Sequence, residues 1–369
     1  MRVLHVISSG GMYGAEAVIL NLARAMEGGA HSIALGVFDN SPNANLQLYE
    51  AAVKQGVESH LIRCSGQVDR GAVARVRELA RETRADVVHA HGFKADIYVW
   101  LALRGAGVPL VSTCHTWYDT DRMVRLYGRL DRFVLRKYAR VVAVSDEVRA
   151  RLLKAGVREE RIRIVRNGID LRPFAAAKEA LRAEFGDAEI VGLVGRLAWE
   201  KGVDVFLRAA TRVLVEFPEV RFVVAGDGPD GEKLEGLIGE LGIEGSVAML
   251  GRREDMARVY ASLDVMVSAS RQEGLPMAIL EGMASGRAMV ATAVGEVPKL
   301  VVDGRTGVLV AAEDVEALAA GIAGLLRDPE RRARLGAAAR EMVREEYSAE
   351  RMASEYLRVY EEAIAAVKR

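Results

Sequence analysis

The sequence predicts an α/β protein built from two doubly wound, Rossmann-like domains, and three observations carry that expectation. Apolar runs of about four to seven residues alternate with segments of helical period, the pattern of βα units that build parallel sheets. At 369 residues the chain exceeds the length at which a single core keeps growing. A turn-and-breaker segment, Asn167-Gly168-Ile169-Asp170-Leu171-Arg172-Pro173, splits the runs into two series.

The first series places strands near Val3–Ser8, Ile33–Phe38, Val57–Ile62, Asp86–Ala90, Leu110–Cys114, Val141–Ser145 and Ile162–Val165. A fresh series follows at Ile190–Gly195, Phe222–Ala225, Val247–Leu250, Val265–Ser268, Met289–Ala291 and Val308–Val310. The domains are therefore expected at 1–168 and 173–349, with the linker at 167–173. After Asp328-Pro329 two amphipathic helices follow with no strand between them. The last, about 350–369, is expected to pack back on the first domain. Open sheets bind ligands at the carboxyl ends of their strands, so a cleft between the domains is the expected site.

Lys plus Arg and Asp plus Glu both number 51, which gives no global field to recruit nucleic acid. Cys64 and Cys114 are far apart and form no zinc or disulfide spacing, as expected of a reducing compartment. The start runs straight into a strand-like VLHVI, and no stretch reaches the length of a membrane span. A cytoplasmic protein is expected.

The strongest chemical signal is Glu273-Gly-Leu-Pro-Met-Ala-Ile-Leu-Glu281, which follows a strand and continues as Gly282-Met-Ala-Ser-Gly286. Pro276 suits the first turn of a helix, leaving Glu273 in the loop before it and Glu281 on its body. Free N–H groups at such a helix start attract a diphosphate. Carboxylates on either side accept hydrogen bonds from sugar hydroxyls. A nucleotide sugar has both parts.

The second signal is Gly195-Arg196-Leu197-Ala198-Trp199-Glu200-Lys201-Gly202, at a strand end and helix start, where Arg196 and Lys201 can converge on a polyanion. Fixed cations in a shielded site stabilise a departing diphosphate far better than they would in water. The third is the loop Ser9-Gly10-Gly11-Met12-Tyr13-Gly14-Ala15-Glu16, whose glycines let backbone N–H groups approach a ligand.

Together these segments resemble the retaining nucleotide-sugar glycosyltransferases of family 4, which have the GT-B architecture of two facing Rossmann-like domains. The resemblance also rests on Ala143-Val144-Ser145, Asn167-Gly168-Ile169-Asp170, Gly226-Asp227-Gly228-Pro229 and Val302-Asp303-Gly304-Arg305-Thr306-Gly307. It implies that Arg196 and Lys201 hold the diphosphate and that Glu281 binds the ribose. It gives Glu273, with Gly274, Leu275 and Pro276, the transferred sugar. His115 matches the family histidine beside that sugar. Gly10 and Gly11 would close over the phosphates, Gly251 and Arg252 would meet the base, and Gly14, Glu16 and Trp117 would lie toward the acceptor. Retention of anomeric configuration, with no cofactor and no bound metal, is also implied. The insertion of Met12-Tyr13 departs from the commoner glycine loop.

Blander readings stand beside these. Arg196 and Lys201 could be surface charges, His115 a capping group, and Glu16 a first-turn acid favoured by the helix dipole. Gly226-Asp-Gly-Pro-Asp-Gly231 literally fits a dinucleotide fingerprint, which would suit an NAD(P)-dependent oxidoreductase. The same scaffold could also be an inactive nucleotide-sugar-binding subunit. Asp119-Thr120-Asp121 fits a metal-holding D-x-D but lies where a helix cap belongs. Arg122, Arg125, Arg129, Arg132, Arg136 and Arg140 form one stripe of an expected helix 122–140, with Met123, Leu126, Leu130 and Val134 on another. Such a face could rest on an anionic membrane at its inner surface.

Overall fold

The computed structural model describes residues 1–12, 14–40, 45–65, 69–115 and 122–367, and of 122–127 the backbone. The chain divides into two compact units, Met1–Asp170 together with Ala349–Arg369, and Leu171–Ser348.

The first unit holds a parallel sheet of β1 (Arg2–Ile7), β2 (Ser32–Asp39), β3 (Glu58–Arg63), β4 (Val87–His91), β5 (Leu110–Cys114), β6 (Arg140–Ala143) and β7 (Ile162–Ile164), in the order β3-β2-β1-β4-β5-β6-β7. The second holds β8 (Ile190–Val194), β9 (Arg221–Ala225), β10 (Val247–Gly251), β11 (Val265–Ser268), β12 (Ala288–Thr292) and β13 (Val308–Val310), in the order β10-β9-β8-β11-β12-β13. Every expected strand is present, and two doubly wound sheets confirm the fold class.

The central strands are covered on both faces, which is why they read as continuous apolar runs rather than alternating ones. On the first sheet, one face packs Val3, Val87, Val111 and Val142 against Met352, Tyr356, Val359, Tyr360 and Ala363 of the last helix, Ala349–Val367. Full burial of each such side chain contributes roughly 1.5–3 kcal/mol. The returning helix is thus a structural layer of the first unit.

Two elements differ from expectation by more than one residue at an end. Ser145 lies beyond β6, because its Oγ accepts the Val148 N–H at 3.2 Å and caps the Asp146–Lys154 helix. The helix expected to run from 122 to 140 ends at Leu135. Tyr138 turns into the core, its hydroxyl donating to the Asp96 carbonyl at 2.8 Å, and Arg140 already belongs to β6. Arg136 and Arg140 therefore leave the basic stripe. Arg136 Nε donates to the Ala155 carbonyl at 2.8 Å, and Arg140 Nε to Glu362 at 2.9 Å.

Candidate active site

In the second sheet β8 and β11 are neighbours, and the connections leaving them run to opposite sides. Their carboxyl-end loops separate there and open a crevice. The loop after β8 carries Arg196 and the short 3-10 turn Trp199–Lys201, while the loop after β11 carries Ser270 and Glu273. Strand order alone brings these two loops together.

Lys201 Nζ donates to Glu273 Oε1 at 2.6 Å, and Ser270 Oγ donates to the same oxygen at 2.7 Å. The carboxylate is 8% exposed and the ammonium 23%, so the pair sits at the inner edge of the crevice. Thr292 Oγ1 holds the Ser270 carbonyl at 2.6 Å. Gly295 has φ of +51°, and a Cβ there would stand 1.8 Å from the Glu273 carbonyl oxygen. Only glycine lets the loop after β12 support Glu273 from behind.

Arg271 straps the two loops together. Its guanidinium is bidentate on Asp204 at 2.8 and 2.8 Å, donates to the Trp199 carbonyl at 2.8 Å, and lies 5.3 Å from the centre of the Trp199 ring. Its backbone N–H donates to the Glu200 carbonyl at 2.8 Å. Planar, forked donors suit such bridging far better than an ammonium would.

The Met277–Ala284 helix begins after Pro276, which stands just before the first turn rather than inside it. No side chain caps this start, so its first amide N–H groups remain available. Glu281 lies on the body of the helix and accepts from the Tyr260 hydroxyl at 2.7 Å. Burial pushes the Glu281 carboxyl above its usual range, and the Tyr260 hydrogen bond partly offsets that. Arg196 is exposed and has no side-chain hydrogen-bond or ion-pair partner among the described residues. Gly251 and Arg252 are exposed at the end of β10.

In the first unit, Gly10 and Gly11 follow β1, where Ser9 Oγ lies 2.9 Å from both the Gly11 carbonyl and Glu16 Oε1. Glu16 is buried in the first turn of the Gly14–Ala25 helix. His115 directly follows β5, and burial pushes its imidazole down to about 4, which leaves it neutral at pH 7.

The profile described as Glycosyltransferase Family 4 covers residues 12–172, and that described as Glycosyl transferases group 1 covers residues 177–342. An alpha-D-kanosaminyltransferase of Streptomyces kanamyceticus is 33% identical over 79% of this chain and 81% of its own. The chain belongs to glycosyltransferase family 4. A D-inositol 3-phosphate glycosyltransferase of Mycolicibacterium paratuberculosis is 35% identical over 66% of this chain, which spans 59% of that relative's length. The fold is shared with Anabaena HepE, solved in complex with UDP, at a TM-score of 0.83 and 23% identity, covering 97% of this chain and 99% of that one.

In this family 4 glycosyltransferase, Lys201, Glu273 and the Gly274–Pro276 stretch meet at one crevice, with Glu281 on the helix that follows. Sequence reasoning missed Ser270, Arg271, Gly295 and Tyr260, although Arg271 and Ser270 stand two and three residues before Glu273. Trp117, Tyr13 and the Asp119-Thr120-Asp121 motif lie outside the described residues, as do the side chains of Arg122, Met123, Arg125 and Leu126. The literal dinucleotide fingerprint has another use. A Cβ on Gly226 would stand 1.9 Å from the Gly195 carbonyl oxygen, and the Leu197 N–H donates to the Asp227 carbonyl at 2.8 Å. That turn is filled by the loop after β8, which it braces.

Proposed function

We propose that the protein transfers a hexose-type sugar from a nucleoside-diphosphate sugar to an acceptor hydroxyl with retention of configuration. The observation that carries this reading is the hydrogen-bonded Lys201–Glu273–Ser270 group at the β8/β11 crevice, beside an uncapped helix start.

Arg196, Lys201 and the amide end of the Met277–Ala284 helix meet the diphosphate, whose charge grows as the glycosidic bond breaks. Incoming phosphate oxygens replace Glu273 as the partner of Lys201, which frees the carboxylate for sugar hydroxyls. Glu281, already oriented by Tyr260, receives the ribose hydroxyls, and the base rests near Gly251 and Arg252. The anomeric carbon exchanges its bond to the phosphate oxygen for one to the acceptor oxygen on the same face, and the leaving phosphate oxygen takes the acceptor's proton. To the first unit the reading assigns His115, as a contact of the donor sugar. It assigns Gly10 and Gly11 to the phosphates, and Gly14, Glu16 and Trp117 to the acceptor side. No metal is needed to balance this charge, so EDTA is expected to leave turnover unchanged.

The test is a panel of nucleotide sugars scored by thermal shift and then by nucleotide release with acceptor present. UDP sugars come first, because HepE was solved with UDP. Product anomers read by NMR decide retention. Binding without release for any donor would identify a binding subunit instead.

No helix among the described residues is long and apolar enough to cross a membrane. Contact with an anionic membrane surface is proposed on a smaller basis than the sequence suggested, namely Arg129 with Leu130 and Phe133, which are 43% and 47% exposed on the Arg122–Leu135 helix. Co-sedimentation with anionic vesicles at low salt tests it, and none with either anionic or neutral vesicles rejects it.

A further inference from the structure

Four histidines of the first unit gather at one face of its sheet. His5 and His89 are register partners on β1 and β4, and His91 pairs with Thr113 of β5. His91 stands two residues beyond His89, so the two-residue period of a strand sends His5, His89, His91 and Thr113 to the face covered by the Ala349–Val367 helix, and His115, just past the end of β5, meets His91.

These groups form one continuous chain. His115 Nε2 is 3.3 Å from His91 Nδ1, and His91 Nε2 is 2.9 Å from His5 Nδ1. Tyr360 Oη stands 3.4 Å from His5 Nε2 and 2.8 Å from His89 Nδ1. His89 Nε2 is 2.8 Å from Thr113 Oγ1, which is 3.0 Å from Tyr356 Oη. His5 and His89 are fully buried and His91 nearly so.

The nitrogens of His5, His89 and His91 lie within 4.8 Å of one another, a spacing that invites a metal reading. The rings do not converge, however. His5 and His91 are stacked with planes 17° apart, and His89 and His91 are tilted by 33°. Each nitrogen of the three already faces a protein partner. Two nitrogens on one tetrahedral zinc would stand about 3.3 Å apart, whereas His5 Nδ1 and His91 Nε2 are 2.9 Å apart, an N–H···N hydrogen-bond distance.

Burial keeps all four imidazoles neutral, so each carries one N–H and one lone pair. Such a chain can run in only two directions. The Tyr356 hydroxyl meets only Thr113 among the described residues, so its hydrogen is used only by donating to Thr113. Thr113 then donates to His89, His89 Nδ1–H to Tyr360, Tyr360 to His5, His5 Nδ1–H to His91, and His91 Nδ1–H to His115 Nε2. We propose that this chain holds His115 in the tautomer protonated at Nδ1, a fixed N–H donor rather than a base, and that His5, His89, His91 and Tyr360 are positioning residues for it. The inference rests on the reading of His115 as a contact of the donor sugar.

Histidine-selective 15N labelling with long-range 1H–15N correlation tests it. The wild-type spectrum is expected to show neutral His115 with its proton on Nδ1. Tyr360→Phe severs the chain and is expected to give averaged His115 tautomers, with kcat about three- to thirtyfold lower and donor KM within about twofold. Tyr356→Phe is expected to leave the tautomer unchanged, because Thr113 then ends the chain with a hydroxyl of its own. His91→Phe cuts the link next to His115 and serves if Tyr360→Phe does not fold. A wild-type His115 protonated at Nε2, an unmoved His115 in both severed variants, or about one metal ion per chain by elemental analysis overturns the relay. Unimpaired transfer by His115→Ala overturns the reading of the site and the positioning role with it. A wrong tautomer alongside an impaired His115→Ala overturns the relay alone.

Discussion

Lys201 and Glu273 meet through a 2.6 Å hydrogen bond that joins the loop after β8 to the loop after β11. Each is the other's counter-charge, and on the proposed reading the diphosphate parts them. Glu273→Gln keeps the shape while removing the charge that the proposed reading assigns to sugar hydroxyls. Its kcat is expected to fall about 10²–10³-fold with little change in nucleotide affinity. Lys201→Ala is expected to lower both, because on the proposed reading it holds the diphosphate before and during its departure. Steady-state kinetics with titrations of the donor's nucleoside diphosphate on both variants check this, and equal mild losses would remove the assigned roles.

Tyr260→Phe takes away the hydroxyl that Glu281 accepts at 2.7 Å. Burial already raises the Glu281 carboxyl, and the lost hydrogen bond raises it further. Protonated Glu281 accepts hydroxyls poorly, so the acid limb of nucleotide binding should move to higher pH. Binding curves measured from pH 5 to 8 for both proteins decide it, and superimposable limbs would count against Glu281 as the ribose ligand.

Gly295→Ala sets a methyl group 1.8 Å from the Glu273 carbonyl oxygen, at a φ of +51° that side chains rarely adopt. The loop has to move and take Glu273 with it. More than tenfold loss of turnover is expected, with stability of the second unit lower by about 1–3 kcal/mol. Activity assays and urea unfolding measure both, and an unchanged variant would show that the two loops do not constrain each other.

Acid should weaken the first unit specifically. Burial holds His5 down to about 3 and His115 down to about 4, with His89 and His91 also well below the ordinary value. In the unfolded chain each titrates near 6.5, so below that pH the unfolded state binds more protons. The stability these neutral rings contribute is present above about pH 6.5 and is lost as pH falls toward 4, by up to about 1.4 kcal/mol per pH unit for each group. Urea midpoints between pH 7.5 and 4.5 test this, and a flat profile would mean the rings are not held neutral.

The central strands were legible because each is a short, covered and largely apolar run, as β8 and β11 show. Helix ends were less so: nothing in the arginine spacing reveals that Tyr138 turns inward and stops the run that begins at Arg122. Glu273, Glu281, Arg196 and Lys201 could be singled out because their motifs are contiguous. Ser270 is an ordinary residue until its Oγ is seen on Glu273, and Gly295 gains meaning only from a carbonyl 22 residues away. The histidine chain was hidden for the same reason, since His89 meets a hydroxyl 271 positions later.

The last helix carries a consequence for biosynthesis. Tyr356, Val359 and Tyr360 complete the hydrophobic layer over Val3, Val87 and Val111, yet they leave the ribosome after every residue of Leu171–Ser348. The unit whose strands are made first must therefore wait, one face uncovered, until residues 349–367 have been made, while the later one can close ahead of it. Nascent chains stalled before residue 349 should expose that apolar sheet to chaperones.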